Sequence, residues 1–374
     1  MKTTTLKDRV GPWQLAFLLA TLGAGQESTV FNTIVTAITG RDVWLSVIIG
    51  TGVGLLSMAL WITLIRRFSG AGIDSMAKTV LGLLSWPFLF AIVILLTTYA
   101  GISARAFTSL SGIIFPTTPP PFFVTPLLGL AVFSGIVGLQ PTARVNQLLL
   151  FYVDIPAGLL LSVLLTGQQR VQRILPMLAH GLGPVLQGAL MMVGLFAQMA
   201  IVLVLAPNTT DLKRIKTAFL TGVAMVGFMA LGHNLGPILQ FGDLAKEFAW
   251  PDFAQLRLIQ VGRDIQRLDV FAVILWVHGY WILLTMNLKA GALILQRLFH
   301  RPSDTWFLVG LALLAWVGSQ VMAATQTVML KEIQGFNQIL FPLAGIGFPL
   351  ILWLLALILG KSRAGTGHAT KLSP

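Results

Sequence analysis

Long apolar runs alternate with short polar segments along almost the whole chain. The polar segments are clusters of Gly, Pro, Arg and Asp, as at 40–42, 66–67 and 301–304, and such clusters are typical of helix ends. Each apolar run has about 20 residues or more, the length that a helix needs to cross a bilayer. The pattern predicts an all-α membrane protein of ten transmembrane helices, with approximate limits 12–38, 43–65, 80–110, 121–139, 142–165, 184–206, 214–239, 268–298, 305–326 and 337–360.

Composition agrees with a polytopic membrane protein. The 374 residues are 56% hydrophobic and only 10% charged, with a mean hydropathy of +0.84. Cysteine is absent, which excludes disulfides, thiolate metal sites and a thiol nucleophile. The net charge of +12 indicates basic cytoplasmic loops rather than nucleic-acid binding. Most of the 25 Lys and Arg residues lie on one side if the N-terminus is inside, so we expect both termini to be cytoplasmic.

Two glycines interrupt the first predicted helix near its middle, in the sequence Leu-Gly-Ala-Gly-Gln at 22–26. Backbone groups freed at that depth need a partner from protein or a bound solute. In secondary transporters such a break marks the substrate site, and half-helix dipoles point at it. Gly23, Ala24 and Gly25 are therefore candidates for holding a solute carboxylate, with Gln26 and Glu27 beside them. A plain kink or a close helix–helix contact is the alternative explanation.

The ten predicted helices divide into five plus five. The sixth contains Gly194 and Gln198, again a glycine-led interruption followed by Gln. Paired interruptions at matching places are the expected mark of an inverted repeat. We therefore predict a single membrane domain, 1–374, with repeats at 12–165 and 184–360 and cytoplasmic ends at 1–11 and 361–374. The longest connection, 241–267, is predicted to be an amphipathic helix at the outer face, either a lid or a plain connector.

Ionisable residues inside the predicted helices each need a partner or a role, because an ionised side chain in mid-membrane costs several kcal/mol. Glu27 is a candidate for binding a solute amine or a proton, or for pairing with Arg105. Asp154 is a candidate coupling carboxylate or a partner of Lys289, which otherwise reaches the cytoplasmic interface. His278 is a packing residue or a proton switch.

Aromatic and amide side chains complete the candidate solute site. Tyr99, Phe196, Gln198 and Trp276 are the neighbours expected to shape it. No phosphate loop, metal-spaced His/Asp/Glu cluster or Ser-His-Asp set is present, so we expect no enzyme activity, no metal site and no cofactor.

Several segments, in order, resemble the endospore germination permease family, the B subunits of nutrient germinant receptors within the amino acid–polyamine–organocation superfamily. They are Gln-Leu-Ala-Phe-Leu-Leu at 14–19, Leu-Gly-Ala-Gly at 22–25, Asp-Val-Trp-Leu-Ser at 42–46, Pro-Thr-Thr-Pro-Pro at 116–120, Gln-Pro-Thr-Ala-Arg at 140–144 and Gln-Arg-Leu-Asp at 266–269. The resemblance implies a fold like that of bacterial amino-acid transporters (LeuT-like), with a small solute held where the first and sixth helices are unwound.

The resemblance also implies partners and a location. They are a receptor A subunit, a lipoprotein C subunit and the inner membrane of a dormant spore. The sequence thus predicts a permease-like protein that senses a small nutrient, such as an amino acid, and signals to partner subunits. A proton-coupled amino-acid transporter and a structural subunit without a ligand remain the two alternatives.

Overall fold

The computed structural model describes residues 9–167, 169–259, 269–322 and 325–362, and within these ranges the chain is helical and contains no strand. Only an isolated β-bridge occurs there, between Val10 and Thr209. It ties the start of the first helix to the connection that follows the sixth.

The first half contains eight α-helices, and π-helical segments join two consecutive pairs of them, α1 to α2 and α7 to α8. They are α1 (Pro12–Gln26), the π-helix Glu27–Phe31, α2 (Asn32–Thr39), α3 (Val43–Arg67), α4 (Ile73–Leu81), α5 (Ser85–Ile114), α6 (Pro121–Val137), α7 (Leu139–Leu149), the π-helix Leu150–Asp154 and α8 (Ile155–Thr166).

The second half repeats the use of interrupted helices. It contains α9 (Leu182–Gln198), the 3-10 helix Met199–Ile201, α10 (Val202–Leu205), α11 (Ile215–Phe241), α12 (Pro251–Leu256), α13 (Asp269–Leu298), α14 (Thr305–Val321), α15 (Gln326–Gly335), the π-helices Phe336–Leu340 and Leu343–Gly347, and α16 (Phe348–Ile358).

Six helical stretches within the described ranges are long and apolar enough to cross a membrane, and two shorter apolar helices, α6 and α14, accompany them. With α1 and α13 these account for the ten predicted transmembrane helices. Two boundaries differ from the sequence prediction. The residues before the third helix form the separate helix α4, and the tenth helix begins at Gln326 rather than at residue 337.

Helices α1, α9 and α13 occupy the middle of the bundle. α1 packs on α13 and α11, and α9 packs on α3. The α9–α10 stretch is largely buried inside the protein, in contrast to α8, whose side chains mostly face outward. Glycines allow the closest approaches. A Cβ at Gly194 would lie 1.9 Å from the Asn337 carbonyl oxygen, so α9 and the tenth helix touch backbone to backbone.

The connection after α11 forms a 3-10 helix, Gly242–Glu247, followed by the short helix α12. This differs from the single amphipathic helix predicted over 241–267, and residues 260–267 of that prediction lie outside the described ranges. Trp250 and Phe253 are buried. The connection is fixed to α2 because Thr33 Oγ1 donates a hydrogen bond to the Ala249 carbonyl at 2.9 Å. Residues 242–256 therefore form a packed cap over one end of the bundle.

Candidate functional site

The first transmembrane helix changes its hydrogen-bonding pattern directly after its two glycines. The Glu27 N–H still donates to the carbonyls of Gly23 and Ala24, so residues 23–26 remain α-helical. The turn then widens, and the Asn32 N–H reaches back to the Glu27 carbonyl. Such π segments are frequent at functional sites. The interruption is therefore a widened turn that starts at Glu27, rather than an unwound stretch at the glycines.

The glycines themselves are packing positions. A Cβ at Gly25 would lie 2.3 Å from the carbonyl carbon of Gly279 in α13, and one at Gly23 would lie 2.9 Å from the side chain of Val226 in α11. This is the close helix contact that the sequence left as an alternative. It sets the depth at which α1 meets α13, and so it positions the residues that follow.

Gln26 begins a chain of polar side chains across three helices. Its Nε2 donates a hydrogen bond to Asn337 Oδ1 at 2.9 Å, and Asn337 Nδ2 lies 3.5 Å from the Tyr99 hydroxyl. Asn337 Nδ2 also donates to the Ile333 carbonyl at 2.9 Å. All three side chains are buried. The predicted neighbours Gln26 and Tyr99 are thus brought together, through an asparagine in the π segment of the tenth helix.

Gln198 ends α9 at the interruption of the sixth helix. Its Nε2 lies 3.4 Å from Asn287 Oδ1 in α13. Its Oε1 is buried and accepts no hydrogen bond within the described part of the chain. We call Gln26, Tyr99, Gln198, Asn287 and Asn337 the amide seam. It carries no charge, and it joins both interrupted helices to their neighbours.

An apolar cleft adjoins Gln198, with a volume of about 420 Å³ that includes space open to the surroundings. Among the described residues that line the cleft, Gln198 provides the single polar side chain. The other lining residues are Ile73, Ile92, Leu95, Leu96, Ala197, Ala200, Ile201, Leu203, Val204, Phe341, Ala344, Gly345 and Pro349.

Phe196 and Trp276 lie beside other elements. Phe196 packs against α3, where a Cβ at Gly54 would come within 2.6 Å of its ring. Trp276 packs against Phe253 of the cap, with ring centroids 5.8 Å apart. Their predicted contact with a solute stays a prediction.

Glu27 lies in a second polar cluster, between the first helix and α11. Its Oε1 accepts a short hydrogen bond from Asn234 Nδ2, and its side chain is fully buried. Asn32 Nδ2 donates to the His233 carbonyl at 2.6 Å, and His233 Nδ1 lies 2.8 Å from Asp252 Oδ2. We call these five residues the Glu27 cluster.

The cap closes this cluster. Asp252 belongs to α12, and burial raises the pKa of its carboxyl above the ordinary value, while the His233 imidazole opposes that shift. Of the alternatives for Glu27, pairing with Arg105 does not occur among the described residues, where Asn234 donates a hydrogen bond to the carboxylate instead.

Asp154 and His278 form a pair where the fifth helix is interrupted. Asp154 ends the π-helix, and its Oδ2 lies 2.6 Å from His278 Nδ1. The other ring nitrogen, His278 Nε2, lies 3.1 Å from Asn146 Oδ1. Asp154 therefore pairs with His278, and the alternative in which it held Lys289 is wrong.

Lys289 is buried rather than extended to the membrane surface. Its Nζ lies 2.6 Å from Asp304 Oδ2 and donates to the Gly135 carbonyl at 2.9 Å. The ion pair links α13, α6 and the loop before α14. Lys289 has the structural role that the sequence allowed, with a partner that the sequence did not identify.

Sequence reasoning found Gln26, Tyr99 and Gln198 but missed the asparagines that connect them. Asn287 and Asn337 are fully buried, as are Asn146 and Asn234 in the two charged clusters. These asparagines could have been found in the sequence as isolated amide residues within apolar runs, because polar groups in membrane helices usually face the bundle interior. Within the described residues, no group of three or more His, Cys, Asp or Glu side chains is placed to hold a metal ion.

Comparison with known proteins shows the family and the fold of the chain. A family model described as "Spore germination protein" matches residues 9–328. Spore germination protein KB of Bacillus subtilis (strain 168) is 25% identical over 287 residues, which are 74% of this chain and 76% of that protein. Spore germination protein XB of Bacillus anthracis is 23% identical over 254 residues, 66% of this chain and 70% of that protein.

Two solved structures show the fold. The first is Mhp1, a nucleobase-cation-symport-1 family transporter in a closed conformation with bromovinylhydantoin bound. Its TM-score is 0.68 at 14% identity, covering 92% of this chain and 79% of Mhp1. The second is MhsT in complex with L-phenylalanine, with a TM-score of 0.62 at 14% identity, covering 92% of this chain and 88% of MhsT. The predicted LeuT-like, all-helical membrane fold is thus confirmed.

These likenesses set the chain among permease-like multi-pass membrane proteins, as the sequence predicted. The family match extends over most of the chain and includes both interrupted helices, the amide seam as far as Asn287, and the Glu27 cluster. The chain belongs to the spore germination protein family.

Proposed function

We propose that this protein is the membrane-embedded nutrient-sensing subunit of a spore germinant receptor. In this proposal it binds a small, uncharged or zwitterionic solute such as an amino acid at the amide seam. The observation that carries the proposal is the position of Gln26 and Gln198. Each stands at the interruption of one of the two paired helices, and each contacts an asparagine on a different helix.

The chemistry of the seam suits a neutral polar ligand. Amide groups offer both donors and acceptors without the desolvation cost of a buried charge. Gln198 Oε1 has no partner within the described residues, so it is a free acceptor for a ligand N–H or O–H. Gly23, Ala24 and Gly25 lie along the same helix and stay part of the proposed site, as do Phe196 and Trp276, whereas Glu27 bonds to Asn234 of α11, away from the seam.

Signalling in this proposal follows from how the seam joins the helices. The hydrogen bond between Gln26 and Asn337 connects the first and tenth helices, so a ligand that binds to either side-chain amide changes that contact. A ligand shifts two arrangements only by its differential affinity for them. The shift would pass to the partner A subunit and lipoprotein C subunit in the spore's inner membrane, with both termini of this chain in the cytoplasm.

A thermal-stability screen tests the binding step. The purified protein is heated in detergent with amino acids, sugars and nucleosides, because a ligand that binds the folded state raises the melting temperature by mass action. A ligand that stabilises the wild type but not Gln26→Leu places the site at the seam. Gln172→Leu, at an exposed position, is the matched control. A ligand that stabilises all three proteins equally contradicts the proposal.

Measuring solute flux into proteoliposomes distinguishes a sensor from a transporter. The sensor proposal predicts binding without net uptake of the same solute by this chain alone. Sustained uptake would establish the transporter, which the fold likeness to Mhp1 favours. The absence of any stabilising solute at millimolar concentration, with normal assembly of the partner subunits, would leave the structural subunit as the remaining function.

A further inference from the structure

The Glu27 cluster is separate from the amide seam and opens a different question. Gln26 and Glu27 are adjacent in sequence, but Gln26 contacts the tenth helix and Glu27 contacts α11. The cluster is closed at its other end by Asp252 of the cap. The cluster therefore contains one fully buried carboxyl group, Glu27, and a second, Asp252, whose side chain is 12% exposed at the cap.

The orientation of both amides in the cluster is fixed by their neighbours. Asn234 Nδ2 faces two acceptors, the Glu27 carboxylate and the Ala230 carbonyl, the latter at 2.8 Å. Asn32 Nδ2 faces the His233 carbonyl and lies 3.3 Å from Asn234 Oδ1. Because only the amide nitrogen can donate to these acceptors, Asn32 Oδ1 must point away from them.

Two oxygens of the cluster are left without a donor. Glu27 Oε2 and Asn32 Oδ1 are both buried and accept no hydrogen bond from the described residues. They lie one π-turn apart, since the Asn32 N–H bonds to the Glu27 carbonyl. Both side chains also bond to Asn234, through Glu27 Oε1 and Asn32 Nδ2, so the two side chains lie on the same side of the first helix. Thr36, one α-turn further on, has a third buried and unpartnered oxygen.

The acidic groups of the cluster outnumber its basic group. Glu27 and Asp252 are two acidic groups, and His233 is their single basic neighbour. Arg41, beyond the end of α2, pairs with Asp243 at 2.7 Å. Among the described residues, no Lys or Arg pairs with either carboxylate. When both carboxyl groups are ionised, even a protonated His233 leaves one negative charge, and a buried charge without a partner is strongly unfavourable.

We infer that the Glu27 cluster is a binding site for a monovalent metal cation, held by Glu27 Oε2 and Asn32 Oδ1. Hard cations prefer oxygen ligands, and dedicated divalent sites collect several carboxylates. One uncompensated carboxylate beside a neutral amide oxygen matches a single positive charge. The inference goes beyond solute sensing, since the cation site uses residues outside the amide seam.

The test uses the solute-free protein and metal salts alone. Thermal unfolding in detergent is measured in NaCl, in KCl and in N-methylglucamine chloride at equal ionic strength. A bound cation should raise the melting temperature by roughly 2–5 °C at about a hundredfold excess over its Kd. The rise should appear in a metal salt and be absent in N-methylglucamine chloride.

Two variants connect the effect to the cluster. Glu27→Gln removes the charge without changing the side-chain size and should abolish the difference between salts. Glu27→Asp keeps the charge and should retain the difference at higher salt. Glu247→Gln, at an exposed position of the cap, should behave as the wild type. If Glu27→Gln does not fold, hydrogen exchange of residues 27–36 in the wild type takes its place, with slower exchange expected in the metal salt.

Three results would overturn the inference. They are equal stability of the wild type in all three salts, a metal effect that survives in Glu27→Gln, or stabilisation by acid alone, which would mean that a proton compensates the carboxylate. None of these results bears on solute binding at the amide seam, so the cation site and the proposed function are tested independently.

Discussion

Both interrupted helices combine a closely packed glycine with a glutamine at the interruption, but the residue that follows the glutamine is charged in one helix and apolar in the other. In the first helix, Gly25 packs backbone to backbone on α13, and Gln26 and Glu27 follow at the start of a π-helix. In the sixth, Gly194 packs on the backbone of Asn337, and Gln198 precedes a 3-10 helix that starts at Met199. Both place a glutamine at the interruption, but a carboxylate follows one and a thioether follows the other.

This difference shows which functions the two interruptions can support. The first helix contributes to both a neutral site and a charged cluster, whereas the sixth contributes a neutral group beside an apolar cleft. Asn337 belongs to both places, because its backbone meets Gly194 and its side chain meets Gln26. The three predictions below test this arrangement, from the largest expected effect to the smallest.

The glycine contacts should be the most sensitive positions. A leucine at Gly25 would have to occupy the space of the Gly279 backbone, so we expect Gly25→Leu to lose about 3 kcal/mol or more of stability, or to prevent folding. Thermal unfolding in detergent measures it. The matched control is Gly52→Leu in α3, where an added Cβ meets nothing within 4 Å. Equal stability of the two variants would show that α1 and α13 do not meet as described.

Asn337→Leu should have the next largest effect. It removes the acceptor of Gln26 and the donor to the Ile333 carbonyl, both buried. Leaving buried polar groups unpaired costs about 1–3 kcal/mol. We expect a loss of that size and a loss of solute-dependent stabilisation. The adjacent Gln338→Leu, whose side chain bonds to the Gln187 carbonyl at an exposed position, should retain solute binding. Solute binding that survives in Asn337→Leu would separate the tenth helix from the site.

The two glutamines should differ in their effect on stability. Gln26 makes a 2.9 Å bond to Asn337, whereas Gln198 lies 3.4 Å from Asn287. We expect Gln26→Leu to destabilise the protein by about 1–2 kcal/mol and Gln198→Leu by less than about 1 kcal/mol. Both should weaken solute binding. Equal stability losses with unchanged solute binding would mean that the glutamines serve packing alone.

The sequence predicted the number and order of the transmembrane helices better than the side-chain contacts between them. Apolar run lengths gave the ten helices, because run length is a local property that the bilayer thickness determines directly. The glycine–glutamine pattern identified both interruptions. Their form was not predictable, since a π-turn at Glu27 depends on how Gly25 seats against Gly279. The partners were less predictable still, because Gln26 and Asn337 are 311 residues apart in the chain.

The ionisable residues show the same limit. The sequence indicates that Glu27, Asp154 and Lys289 need partners, but the protein partners that it offered as alternatives, Arg105 for Glu27 and Lys289 for Asp154, are not the ones found. Asp304 lies in a loop and Asn234 in an apolar run, so neither stood out as a counterpart. Which helix faces are adjacent is decided by packing across the bundle rather than by local pattern.

Equilibrium binding of the solute found by stability screening tests the central claim most directly. Its affinity would be measured for the wild type, Gln26→Leu, Gln198→Leu and Gln172→Leu. The account predicts at least a tenfold loss of affinity for each of the two seam variants, about 1.4 kcal/mol or more, and no change for Gln172→Leu. Wild-type affinity in both seam variants would contradict a solute site at the paired interruptions.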